Sequence, residues 1–216
     1  RFSELHTAGE RTHFLHEANA AVRTMLYLML PAAVGMRVLA GPLTQALFMH
    51  GAFTAADALG TSQVLQVYAV MLLFSSLSRV TAPAFYALKN TWLPASVAFF
   101  VLVIYILAGP WMVDHYGLPG LARATATAAI MNIVLLQIFF HFLIGPLGYP
   151  RIFASIFRLL PALTIMGVFC HFAWPPLSQS LPRALALLVA VAGGAAIYFL
   201  VSALCRSPEA EQVRKL

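Results

Sequence analysis

Acidic residues are what this sequence lacks most. Only seven of its 216 residues are Asp or Glu, and Glu4, Glu10, Glu17, Asp57, Asp114, Glu209 and Glu211 all fall outside the long apolar runs. Paired carboxylates for general acid–base chemistry are therefore absent from the segments that hydropathy places in a membrane. The same scarcity removes the groups from which intramembrane proton relays and cation sites are usually built, leaving only His141 and His171 near span ends. Asp114 and His115 are adjacent, a spacing that does not ordinarily let one residue orient the other, and no nucleophile accompanies them. The chain does not read as an enzyme.

Cysteine is scarce too. Cys170 and Cys205 fall in the last two apolar runs, near opposite faces, and read as packing residues rather than a disulfide. His13, His16 and Glu17 in the run HFLHE lack a third or fourth ligand, so the plainer reading is a solvated helix face. No residue set points to a metal or a cofactor.

What is present is hydrocarbon. With 61% hydrophobic residues, 9% charged residues and a mean hydropathy of +0.85, the composition excludes an ordinary soluble domain. About 20 residues cross a bilayer as a helix. Six such segments are expected, at about 24–49, 64–88, 92–113, 120–142, 152–174 and 183–205. The fold class is all-α, a polytopic membrane helix bundle. The net charge of +6 does not indicate nucleic acid, because the thirteen basic residues are scattered in ones and twos between the spans.

The segment 1–23 reads as a cytoplasmic or interfacial amphipathic helix leading into the first span. It begins with Arg1 and has no apolar core or cleavage site of a signal peptide, which suggests a piece of a longer protein. Residues 50–63 are expected to be a polar loop with Thr54 as an N-cap and Asp57 three residues on in the capping-box position. Residues 114–119, 144–151 and the proline-rich 175–182 are the other expected connections, and residues 206–216 are a polar, fraying cytoplasmic tail. Alternate-side counting puts Arg1, Arg11, Arg23, Lys89, Arg151, Arg158, Arg206, Arg214 and Lys215 on one face and only Arg123 and Arg183 on the other. The first face should be cytoplasmic, with both ends of the segment inside.

Two cations belong to neither count. Arg79 lies in the second span about a turn before Pro83, and Arg37 lies in the first among Pro31, Gly35, Gly41 and Pro42. A guanidinium in hydrocarbon costs at least about 2.5 kcal/mol, so such residues usually face a protein interior or a wet cavity. Without an acidic partner, a buried arginine suits an anionic ligand, and phosphate fits its planar fork. The competing reading of Arg79 is a helix-end anchor bonded to backbone carbonyls; Arg37 either shares its cavity or snorkels to an interface. In the fourth span, Ala122, Thr125, Ala126 and Ala129 recur at helical spacing, which suits close helix packing, with Thr125 and Asn132 as the candidates for lining a cavity. Gly193 and Gly194 in the sixth span mark a second close contact.

SELHTAGERTHF before the first span, LAGPLTQALFMHGAFTAAD at its end, RVTAPAFYALKNTWLP and GLARATATAAIMN together resemble the MurJ/MviN lipid II flippases of the multidrug/oligosaccharidyl-lipid/polysaccharide exporter superfamily. The resemblance covers essentially the whole chain, but only the last six helices of a fourteen-helix flippase fold. It implies flipping of the undecaprenyl-pyrophosphate-linked peptidoglycan precursor, lipid II, from the inner to the outer leaflet of the bacterial inner membrane. It further implies that residues 24–142 complete a second transport lobe, that residues 151–205 form a lipid-groove helix pair, and that the missing N-terminal lobe and membrane lipids are partners. Arg79, Tyr86 and Asn132 match motif positions, as does Phe85; the substrate-binding candidates are thus Arg79, Arg37, Asn132, Thr125 and Tyr86. Two departures stand out: Arg123 replaces an aliphatic residue, and the third span lacks the Asn and Asp of the sodium site in some members. Alternatives to a lipid II flippase are an exporter of another lipid-linked oligosaccharide and an inactive membrane fragment with only a packing role.

Overall fold

The computed structural model describes residues 8–205 apart from Leu88, and the tail and the first seven residues lie outside the described residues. Among the described residues seven helices follow one another: α1 (Ala8–Val38), α2 (Ala40–Phe48), α3 (Ala55–Ala87), α4 (Trp92–Tyr116), α5 (Leu118–Leu143), α6 (Tyr149–Ser180) and α7 (Arg183–Leu204). All but α2 are long and apolar enough to cross a membrane. The chain is a multi-pass membrane bundle, as the hydropathy predicts.

The spanning helices other than α7 are longer than the expected spans. From residue 8 the segment expected to lead into the first span runs into it without a break as the first turns of α1, whose 31 residues measure about 46 Å against a hydrocarbon thickness of about 30 Å. The helix then breaks at Leu39, because Pro42 has no N–H for the Val38 carbonyl and so interrupts the ladder. The polar loop expected at 50–63 shrinks to residues 49–54. Thr54 and Asp57 close a reciprocal capping box, with Thr54 N donating to Asp57 Oδ2 at 2.9 Å and Asp57 N to Thr54 Oγ1 at 3.3 Å, so α3 starts at Ala55.

Asp114 and His115 likewise belong to the last turn of α4, and the expected loop there reduces to Gly117, which has φ +62°. Pro175 and Pro176 do not form a loop: α6 runs through both to Ser180, where Ser178 and Ser180 hydroxyls donate back to the Pro175 and Pro176 carbonyls at 2.9 Å. The prolines withhold the N–H groups that would bond the His171 and Phe172 carbonyls four residues earlier, and membrane helices tolerate such gaps.

Two apolar cores share α1. Val22 and Leu26 pack with Phe85, Val97, Leu136 and Phe140 of α3, α4 and α5, where Phe85 meets Phe140 edge-on at 6.0 Å between ring centres. Tyr27 and Leu39 pack instead with Leu159, Met166, Cys170, Ala190 and Tyr198 of α6 and α7. The helix α1 is thus a spine, with α3–α5 on one side and the α6–α7 pair on the other.

Small residues bring helices together at the expected places. Ala122, Ala124 and Ala126 are buried where α5 runs between α3 and α4. A β-carbon on Gly193 would stand 2.9 Å from the Phe169 ring, so α6 and α7 approach at the glycine pair. Cys170 is buried there, but Cys205 is exposed just past the end of α7 and is not a packing residue within this chain.

Buried polar groups tie the elements together. The Asn19 side chain of α1 donates to the Leu147 and Gly148 carbonyls in the α5–α6 turn. Thr81 of α3, Gln137 of α5 and Tyr149 of α6 form a chain, with Gln137 Nε2 donating to Thr81 Oγ1 at 3.1 Å and the Tyr149 hydroxyl to Gln137 Oε1 at 3.4 Å. Each such bond satisfies a group that would be costly to leave unpaired in an apolar interior.

Candidate functional site: polar and apolar cavities of the bundle

Thr125 and Asn132 come together, two turns apart on α5, in the wall of a cavity of about 400 Å³ between α3, α4 and α5. Ser75 and Ser78 of α3 and Tyr105 of α4 complete its polar lining among Met71, Val101 and Leu102. Thr125 and Ser78 turn their hydroxyls back onto their own helices, donating to Leu121 O at 2.9 Å and Phe74 O at 3.5 Å. No side-chain hydrogen bond engages Asn132, Ser75 or Tyr105 among the described residues. The cavity offers hydroxyls and one amide and carries no charge of its own.

Sequence reasoning missed Ser75, Ser78 and Tyr105. Ser75 and Ser78 stand at the i, i+3 spacing of one helix face, a signal present in the sequence. Tyr105 is one hydroxyl in an apolar span, with nothing local to mark it.

The other three candidates lie elsewhere. Arg79 follows Ser78, about 100° further around α3, and is exposed, outside this cavity. Arg37 is exposed in the last turn of α1, just before the break at Leu39. Tyr86 is exposed at the end of α3, while its neighbour Phe85 is fully buried. No carboxylate pairs with Arg37 or Arg79 among the described residues. Pro83 also leaves the Arg79 carbonyl without its usual helical N–H donor, so the polar backbone and the cation coincide at one level of α3. Arg123 stays out of the cavity, stacked over the Tyr116 ring at 4.5 Å, where α4 hands over to α5.

Two more cavities lie elsewhere in the bundle. One, of about 470 Å³, lies between α3, α5 and the start of α6; its apolar wall of Phe74, Leu77, Ile133 and Ile138 ends in Gln137, His141 and Tyr149. The other, of about 380 Å³, separates α1 and α2 from α6 and α7 and is lined by Pro31, Gly35, Met36, Leu43, Met166 and Val191 among others. Its wall is almost wholly hydrocarbon, which suits an alkyl chain and not a polar group.

Comparison with known proteins places this bundle. A protein of Bdellovibrio bacteriovorus described as a probable lipid II flippase MurJ is 37% identical over 135 residues, covering 62% of this chain and 26% of the relative. The lipid II flippase MurJ of Thermosipho africanus is 32% identical over 129 residues, covering 60% of this chain and 27% of the relative. A probable lipid II flippase MurJ of Thermotoga maritima is 27% identical over 210 residues, 97% of this chain and 42% of the relative. The solved structure of a lipid II flippase MurJ in an inward closed conformation superposes with a TM-score of 0.71 at 25% identity, over 91% of this chain and 40% of that one. The chain therefore spans between 26% and 42% of the length of these relatives. The family model described as "Lipid II flippase MurJ" matches residues 1–172 of the 216, and the chain belongs to that family.

Proposed function

We propose that this chain is the C-terminal part of a flippase that moves lipid II from the inner to the outer leaflet of a bacterial inner membrane by alternating access. The observation that carries the reading is the family match over residues 1–172, on a bundle whose six long helices suit a membrane and no aqueous setting. In this reading the missing N-terminal lobe packs against the exposed side of α3–α5, residues 24–142 complete the second lobe, and both ends of the segment are cytoplasmic. Arg79 and Arg37, exposed on neighbouring helices and free of carboxylates among the described residues, attract the pyrophosphate. Thr125 and Asn132, with Tyr105, hydrogen-bond polar headgroup atoms, and Tyr86 stands at the cytoplasmic rim. The apolar cavity beside α6 and α7 takes hydrocarbon.

The test is to read the source DNA upstream of Arg1 and reconstitute the protein it encodes in proteoliposomes with fluorescent lipid II. Eight further spans upstream and protein-dependent flipping are expected. A stop codon directly upstream, or no flipping of lipid II where another lipid-linked oligosaccharide is flipped, would overturn the assignment.

A further inference from the structure

Pro31 removes the backbone N–H that would bond the Tyr27 carbonyl in a regular helix. That carbonyl is buried between α1 and α7, where an unpaired acceptor is costly. It is not left unpaired: the Tyr198 hydroxyl of α7 donates to Tyr27 O at 2.7 Å. The Tyr27 hydroxyl in turn shares a hydrogen bond of 2.8 Å with Ser202 Oγ, one turn along α7. The two tyrosine rings lie 5.4 Å apart, and Tyr27, Tyr198 and Ser202 are each 1% exposed or less. One helix thus supplies the donor that a proline withholds in another.

The node sits at the edge of the apolar cavity, since Tyr198 is part of its wall and Pro31 lies on the opposite side. Beyond Pro31, α1 carries Gly35 and Met36 along that wall, so the direction of α1 above the proline sets the distance across the cavity. A change in the direction of α1 across Pro31 would shift the Tyr27 carbonyl relative to Tyr198; releasing α7 would leave the carbonyl without that donor.

We propose that Tyr198 is a positioning residue that ties the course of α1 across Pro31 to the seating of α7, so that α6–α7 follows the movement of α1 during transport. This rests on the flippase reading. A node that only packs the bundle would contribute stability alone; a coupling node also transmits displacement.

The deciding variants are Tyr198→Phe, Pro31→Ala and their double, each in the full-length protein, with melting temperature and lipid II flipping measured on the same preparation. Tyr198→Phe is expected to melt earlier than wild type, and the double to regain wild-type melting because an alanine in place of the proline restores the helical donor. Flipping by the stable double variant is expected to fall about fivefold or more, the low end of typical couplings between sites. A double variant that melts and flips like wild type would reduce the node to packing and overturn the proposal. So would Tyr198→Phe that melts like wild type, since the carbonyl would then not depend on it. Absence of flipping by wild type itself would instead count against the flippase reading.

Discussion

A β-carbon on Gly194 of α7 would stand 2.6 Å from the sulfur of Cys170 on α6, well inside contact distance. Two helices meet there with no room for a methyl group. Gly194→Ala should therefore destabilise the α6–α7 pair by about 1–3 kcal/mol, the usual cost of overpacking. Thermal melting in detergent checks this, and Cys170→Ala in the same chain should recover most of the loss. If Gly194→Ala alone melts like wild type, the approach is looser than described.

Asn19 secures the other end of α6 by donating to two carbonyls of the α5–α6 turn. Gly148 has φ +72° beside it, and a β-carbon there would be 3.0 Å from Asn19 Nδ2. Asn19→Ala leaves the buried Leu147 carbonyl without its donor, while Gly148 O keeps the Arg151 N–H, and should cost about 1–3 kcal/mol. Hydrogen exchange should rise first at the N-terminal turns of α6; a rise confined to α1 would contradict this.

Lys89 ends α3 with φ +57°, the left-handed conformation in which glycine is free of a Cβ penalty. Lys89 N donates to Tyr86 O at 2.9 Å and Asn90 N to Phe85 O at 3.0 Å, the paired bonds of a Schellman ending. Lys89→Gly should raise stability by about 1 kcal/mol, measured as an upward shift in melting. Lys89→Val should lower it, because a β-branched residue strongly resists that conformation.

Arg79→Ala should abolish or sharply reduce lipid II flipping while leaving expression, insertion and melting intact, because the residue is exposed and unpaired by carboxylate among the described residues. Arg79→Lys should restore activity only partly, since an ammonium lacks the fork that matches phosphate. Unchanged flipping by Arg79→Ala in a full-length protein would remove this residue from substrate binding.

The six spans were legible because hydropathy over about 20 residues is a strong, local signal, and the Thr54–Asp57 cap because a capping box is written in neighbouring residues. Helix ends were less legible. Pro175 and Pro176 look like a loop in sequence, yet α6 continues through them to Ser180, as membrane helices can. The break at Leu39 owes to Pro42, which the sequence showed, but its place depends on which carbonyl goes unpaired. Thr125 and Asn132 could be found because polar residues stand out in a run of alanines. Tyr198 could not, since its role is fixed by a proline 167 positions earlier and only the fold brings the two helices together.

The helix α4 leans almost wholly on α5 and only lightly on α3, and from Leu93 to Val113 it carries no charged residue. The ribosome makes α4 before its partner exists. Until α5 follows, α4 lacks its main partner within this chain and depends largely on its own hydrocarbon surface to stay in the bilayer. A charge introduced on α4 would be felt at this stage, before α5 is there to shelter it, and would appear as failed insertion rather than as a destabilised bundle.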